Sequence, residues 1–335
     1  MASSDSERLV LNRRRLIQAA GLGATAAAPS QTAARTAWPA VPTPALVAEN
    51  ISVAAIQRTI VSVQEMPAAK AIAANVQAMR DAIDRVQASG VHKHLITFSG
   101  YALQGGLTGA LNDLTRTAIA ADGPEVAGIA AKAREHGSHV SFGAWATDPD
   151  WRGRVIAMTI LIGPDGKTIA KDWAPLASDA GAFHWASAVE SEFDAYIEMY
   201  GAGAVLPVHQ TGIGVVAQAP VQGAPEIFRA YALKGAEIFL RTAPDSCQSW
   251  DLQAAAGHNR CFSVMTTAAA APSDHHAAFA GTAIHGPGGE VLAEAGSKWD
   301  QVVVASLPMA RYRSVHRIPN LATALFLPAY ERAAV

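Results

Sequence analysis

From Ile51 onward the hydrophobic positions fall into short β-branched runs separated by stretches at helical spacing. Ile51 to Val63 alternates as a strand. Ala69 to Ala88 predicts a helix, with Ile72, Val76, Met79, Ile83 and Val86 on one face and Gly90 ending it. Leu95 to Phe98 reads as a second short strand, Ser99 to Gly106 as a loop, and the stretch to Asp122 has no clear period. Pro124 to His136 is again helical, closed by Gly137, and Ser138 to Ala146 is strand. Val155 to Ile162 and Lys167 to Trp173 pair as a hairpin across Pro164-Asp165-Gly166, whose residues favour a tight turn.

Residues 177–203 interrupt this rhythm. Within them Val189, Phe193, Tyr196, Ile197 and Tyr200 fall on one side of a helix, with Glu190, Glu192, Asp194 and Glu198 mostly on the other. This pattern predicts an amphipathic surface helix rather than an acidic ligand site. Gly212 to Arg241 then reads as strand, tight loop, short helix and strand. Val215 and Val216 suit a buried strand, and Pro225-Glu226 suits a helix start, where a fixed φ and a negative charge are favourable. Gly235 supplies a left-handed stop before Ile238-Phe239-Leu240. Trp250 to Asn259 is helical and Cys261 to Thr267 is strand, with Ala268 to Ala280 a loop. Thr282 to His285 and Val291 to Ala295 form a hairpin over Gly286-Pro287-Gly288-Gly289, Val302 to Leu307 is a last buried strand, and a helix and tail follow from Pro308. The order predicts one α/β domain over residues 46–335, two sheets back to back with helices outside.

Half of the 335 residues are hydrophobic, enough for a large buried core, and the net charge of −2 offers no basic face for nucleic acid. Two cysteines, Cys247 and Cys261, exclude a disulfide framework and lack metal-ligand spacing. No apolar run has the length of a transmembrane helix, so no stable membrane anchor is expected. Residues 1–45 differ from the rest. Asn12-Arg13-Arg14-Arg15-Leu16-Ile17-Gln18 resembles the twin-arginine export pattern, followed by an Ala/Gly-rich apolar stretch and a Pro/Ala-rich linker. Export to the periplasm or the exterior is the expectation; a plain, slightly basic tail is the alternative.

In many α/β enzymes the loop between a strand and a following helix carries the reactive group. Here that loop is Ala219-Pro220-Val221-Gln222-Gly223-Ala224, which holds no nucleophile, acid or base. Elsewhere, Cys261 lies in a strand that reads as core and is expected to be a small buried hydrophobe. Cys247 follows a strand end, where a loop could reach the site, and is the one thiol that could serve as a relocated nucleophile. His275 and His276 are adjacent and so poorly placed to share an ion, while His92 and His94 have no carboxylate or Cys partner nearby in sequence. The Gly286 to Gly289 turn lacks the helix and Lys of a phosphate cradle. Neither a metal nor another cofactor is expected.

The order of elements and several local words resemble the nitrilase, or carbon–nitrogen hydrolase, superfamily, particularly its aliphatic-amidase-like branch. The words are VAAIQ at 53–57, LITFSGYALQGG at 95–106, ILIGPDGKTIAKDW at 160–173, APEIFRAYALKGAEIFLR at 224–241, HNRCFSVMTT at 258–267 and GTAIHGPGGEVLAEAG at 281–296. The resemblance covers roughly Ile51 to Arg311 and implies an α-β-β-α sandwich, two packed sheets flanked by helices. Active relatives hydrolyse nonpeptide amides or nitriles with a Glu base, a Lys that stabilises the tetrahedral intermediate and a Cys nucleophile. That division of labour follows from thiolate nucleophilicity and from the charge developing on the oxyanion.

At the three matching positions this chain reads Gly100, Ala174 and Ala219. Sliding the register does not recover the set: Leu95 to Leu111 has no Asp or Glu, and Val215 to Ala224 has no Cys, Ser or Thr. Lys171 lies three positions before Ala174 and reads as a solvated strand-end lysine. Glu226 is expected, from its counterpart in relatives, to bind backbone at the helix start. Losing one charged member favours losing the others, because a buried Lys or Glu without its partner costs several kcal/mol. The expectation is therefore a protein with a neutral pocket and no family chemistry, acting in binding or as a partner subunit. The alternatives are an amide or nitrile hydrolase that uses Cys247, and a structural subunit that assembles with an active paralogue. The resemblance further implies a homo-oligomer and a small amide- or nitrile-like ligand.

Overall fold

The structure, a computed structural model, describes residues 43–105, 111–176, 186–243, 248–269, 281–296 and 298–316, with positions 325, 326, 328 and 330. Cys247, His275, His276, residues 177–185 of the excursion and nearly all of the expected export segment lie outside the described residues.

The runs rich in Val, Ile, Ala and Thr form two mixed sheets. The first has the order β13-β1-β2-β4-β5-β6, with β3 also on β4. Its strands are β1 (Ile51–Gln57), β2 (Leu95–Thr97), β3 (Ile119–Ala120), β4 (His139–Thr147), β5 (Ile156–Ile162), β6 (Thr168–Trp173) and β13 (Gln301–Leu307). The second has the order β12-β11-β10-β9-β8-β7. It comprises β7 (His209–Thr211), β8 (Gly214–Gln218), β9 (Ile238–Thr242), β10 (Phe262–Thr266), β11 (Ala283–His285) and β12 (Val291–Glu294). Strands β1, β2 and β4 run parallel, as do β8, β9 and β10.

Buried on both faces, these strands read as continuous hydrophobic runs. On β1, Ala54 and Ile56 face α1 (Ala68–Gln87) and α3 (Pro124–His136), which cover the first sheet. Ile51, Val53 and Ala55 face the second sheet, together with Leu95, Val216, Ile238, Leu240 and Val264. Helices α5 (Pro225–Leu233) and α6 (Trp250–Asn259) cover the outer face of the second sheet through Phe228, Tyr231 and Leu252. The architecture is the expected α-β-β-α sandwich.

The structure shortens the first expected strand, which ends at Gln57 rather than Val63, and fills the unclear stretch before Asp122 with α2 (Leu111–Thr117) and β3. It also adds β7, which no periodicity announced because it is three residues long. In the excursion, α4 (Phe193–Tyr200) forms as expected, but its inward face is narrower. Val189 and Tyr196 are buried, whereas Phe193 and Tyr200 are largely exposed. The hairpin turn follows its sequence: Gly163 N–H donates to Lys167 O at 2.7 Å, and Gly166 has a φ of +80° that glycine adopts without strain. Helix α7 (Met309–Val315) is anchored at the other end of the sheets by Arg313, which ion-pairs with Glu237.

Candidate functional site

Along the layer between the sheets, side-chain character changes toward the carboxyl ends of the parallel strands. On β2 the inward residues run Leu95, Thr97, then Ser99 beyond the strand; on β9, Ile238, Leu240, Thr242; on β10, Phe262, Val264, Thr266. Antiparallel β5 runs the other way, Leu161, Thr159, Ala157, with Ala170, Asp172 and Ala174 opposite on β6 and just past its end. Carboxyl ends of parallel strands are where open α/β sheets place ligands. Here that end is a buried layer of hydroxyls and amides. Thr97 and Thr266 hydroxyls lie 2.5 Å apart, and those of Thr159 and Thr242 lie 3.1 Å apart.

A small cavity opens at this level, lined by Gly100, Tyr101, Gly143, Ala157, Met158, Thr159, Ala174, Pro220 and Thr242. Two of the three positions singled out in the sequence, Gly100 and Ala174, thus share one cavity wall, and Ala219 immediately precedes a third wall residue, Pro220. Among the described residues, the lining side chains include no carboxylate, ammonium or thiol. The cavity measures about 50 Å³, room for a few water molecules and far below the roughly 300 Å³ at which small-molecule pockets begin. Two features close it. Gly143 packs so tightly that a Cβ there would lie 2.9 Å from Gly100 Cα and 3.1 Å from Thr242 Oγ1. Tyr101, held at a φ of +53°, stacks on Trp145 with ring centroids 4.1 Å apart.

The backbone donors at the three positions are also committed. Gly100 N–H donates to Ala243 O (3.1 Å), Ala174 N–H to Ala157 O (2.8 Å) and Ala219 N–H to Leu240 O (2.7 Å). An amide already bound to a carbonyl is not free to stabilise an oxyanion. Beside Gly100, the Ser99 hydroxyl is buried without a hydrogen-bond partner among the described residues, a placement that costs stability.

Behind the cavity lies a polar cluster that sequence reasoning missed. Gln218, fully buried on β8, donates to Thr159 O (3.1 Å) and to Asp172 Oδ2 (2.9 Å), and accepts from Ser141 Oγ (2.9 Å). His209 Nε2 lies 2.7 Å from the same Asp172 oxygen, so the edge strands β6 and β7 are clasped across the sandwich. The Tyr231 hydroxyl donates to Gln218 O at 3.1 Å, and burial pushes its pKa well up. The available signal was the two-residue period of β6, which puts Asp172 on the same face as Ala174. The partner strand β7 was too short to see.

The remaining candidates occupy structural positions. Lys171 lies 2.9 Å from Asp148 and 3.4 Å from Asp122. Burial alone would lower its pKa, but the two carboxylates outweigh that and raise it. Lys171 is therefore ion-paired, not simply solvated. Cys261 is buried as expected, and burial pushes its thiol up to about 12. His94 Nδ1 accepts Ser52 N–H from β1 at 3.0 Å, and its pKa is lowered by burial and by His92.

Glu226 is exposed in the first turn of α5, and the expectation that it binds backbone there is corrected. The backbone donor at that loop, Gly223 N–H, is held instead by Asp251 Oδ2 from α6 at 3.0 Å. Asp251 also receives both guanidinium arms of buried Arg241, at 2.6 and 2.7 Å. Asp84, Glu135 and His136 cluster on the surface, yet Lys132 Nζ already sits 2.8 Å from each of the two carboxylates.

Comparison with known proteins places this architecture. A carbon–nitrogen hydrolase family model matches residues 52–317. Nit3 of Saccharomyces cerevisiae, a member of branch 10 of the nitrilase superfamily, superposes with a TM-score of 0.63 at 16% identity, covering 79% of this chain and 94% of its own. A doubly substituted variant of the amidase from Nesterenkonia sp. AN1, in complex with acrylamide, gives 0.59 at 17% identity, with 83% and 96% covered. A singly substituted variant of that amidase, in complex with butyramide, gives 0.58 at 15%, with 79% and 93% covered. No curated protein matches the chain. With the family match spanning most of its length and the same fold found in these solved structures, this chain belongs to the carbon–nitrogen hydrolase family.

Proposed function

We propose that this protein is a non-catalytic member of the family, one that keeps the scaffold and serves in binding or as a partner subunit. The observation that carries this reading is the wall of the 50 Å³ cavity, where Gly100 and Ala174 stand among hydroxyls, apolar groups and committed amides. Amide or nitrile hydrolysis by the family route needs a nucleophile, a base and a cation within reach of one carbon. Among the described residues, a wall of this composition provides none of them. A neutral, hydroxyl-lined site of this size favours a very small uncharged ligand over an aliphatic amide.

The decisive experiment is an ammonia-release assay on purified full-length protein with acetamide, butyramide and the corresponding nitriles, run beside Cys247→Ala. No turnover above the variant is expected. Turnover that disappears in Cys247→Ala would overturn the reading in favour of a relocated nucleophile. The proposal includes self-association and twin-arginine export, supported by the basic Arg13-Arg14-Arg15 segment and its apolar sequel. Light scattering of the purified protein and fractionation of the native cell read these two directly.

A further inference from the structure

A second cleft, unrelated to the cavity between the sheets, lies on the outer side of the first sheet. It measures about 250 Å³ and is bounded by the end of β1, the second half of α1 and the start of β13. Ile56, Ala82, Val86 and Val302 make an apolar wall, and Arg58, Arg85 and Asp300 line the same cleft.

Arg58 is the unusual group. It is only 9% exposed, yet among the described residues its side chain makes one hydrogen bond, from Nη1 to Asn75 Oδ1 at 3.5 Å. That acceptor already receives Val61 N–H at 3.0 Å. A guanidinium has five N–H donors and stays charged, so burying one with a single long contact is costly. Elsewhere in this protein Arg241 and Arg313, also shielded, each carry a carboxylate: Asp251 at 2.6 Å and Glu237 at 2.7 Å. Arg58 has none within ion-pair distance among the described residues.

The acid that lines the cleft, Asp300, has its Oδ1 occupied by Thr59 N–H (2.6 Å) and Thr59 Oγ1 (2.9 Å). Burial pulls the Arg58 pKa down, Asp300 opposes the fall and Arg85 adds to it, so the two cations repel across the cleft.

We propose that this cleft binds a small organic monoanion, a carboxylate carrying a short apolar substituent, between the guanidinium groups of Arg58 and Arg85. Two cations against one committed carboxylate leave a single positive charge, which a carboxylate balances and a phosphate dianion overshoots. Guanidinium forks match carboxylate oxygens in pairs. The apolar wall accepts an alkyl or aryl group that inorganic phosphate lacks.

Titration calorimetry on the full-length protein in low-chloride buffer tests this, with butyrate, butyramide and inorganic phosphate as probes. Butyrate is expected to bind saturably at one site, and the isosteric but neutral butyramide to show no binding there. Arg58→Gln is expected to abolish butyrate binding; because it alters a buried group, Arg85→Gln provides the cleaner variant, since Arg85 is exposed. Loss of one charge-assisted contact should weaken butyrate about tenfold. Val302→Glu, at a half-exposed wall position, should also suppress binding by neutralising the cleft. The proposal is overturned if butyrate does not bind, if Arg85→Gln and Val302→Glu both leave its affinity unchanged, or if phosphate binds as tightly.

Discussion

At the scale of single residues, the contrast between Arg241 and Ser99 shows how this protein treats buried polar groups. Arg241 is 1% exposed and forked onto Asp251 through both terminal nitrogens, its Nε alone lacking a partner among the described residues, and Asp251 also fixes Gly223 in the loop beyond Ala219. The pair ties strand β9, helix α6 and that loop into one unit. Removing the carboxylate by Asp251→Ala leaves a buried guanidinium unpaired and is expected to cost about 3–5 kcal/mol. Chemical denaturation reads it as a large fall in midpoint, and a loss under 1 kcal/mol would show the pair to be solvated. Ser99, in contrast, keeps a hydroxyl that no described neighbour satisfies. The words and spacing of the sequence singled out Gly100, Ala174 and Ala219, and the structure brings Gly100 and Ala174 to one cavity. That Asp172 is held by Gln218 and His209 was not legible, because the three residues come from separate strands.

At the scale of elements, the site is shaped by how closely β4 approaches the loop after β2. Gly143 N–H donates to Ser99 O at 3.1 Å, and Ala102 N–H returns to Gly143 O at 2.9 Å. The two backbones meet where a side chain on β4 would stand. Gly143→Ala puts a methyl 2.9 Å from Gly100 Cα, a backbone atom that cannot swing aside. The expected cost is about 1–3 kcal/mol, with the cavity closed; thermal unfolding of the variant measures it, and an unchanged Tm would mean that the loop yields freely. Helix and strand boundaries over the long periodic stretches followed the sequence closely, with α3 and α6 ending where read. The short elements β3 and β7 did not, since two or three residues carry no period and are held by their neighbours.

At the scale of the whole molecule, acid sensitivity follows from what the sandwich buries. His285 sits at 1% exposure with Nδ1 3.0 Å from Ser263 Oγ. Burial, with a smaller push from Arg241, lowers its pKa from 6.5 to about 4. Between those values the unfolded chain binds the proton and the folded one does not, so stability falls as pH drops from 6.5 to 4. Asp251 extends the loss to lower pH. Burial would raise its carboxyl, but Arg241 and Gly223 hold it below the ordinary value, so its stabilising charge disappears only in stronger acid. Stability measured against pH should therefore decline through the whole acid range. His285→Gln should flatten the part between 6.5 and 4, and an unaltered slope there would assign it to other groups.

The chain by itself determined the layered α/β architecture, because alternating β-branched runs and helical periods leave few ways to bury so much apolar surface. It also determined that Gly100, Ala174 and Ala219 bear neither charge nor thiol, since identity is local information. Only the tertiary structure decided how much room those positions enclose, which backbone amides are already engaged, and that Arg58 shares a cleft with Arg85 and Asp300. Such properties depend on distances between residues far apart in sequence, and those distances come from packing, which no local pattern encodes.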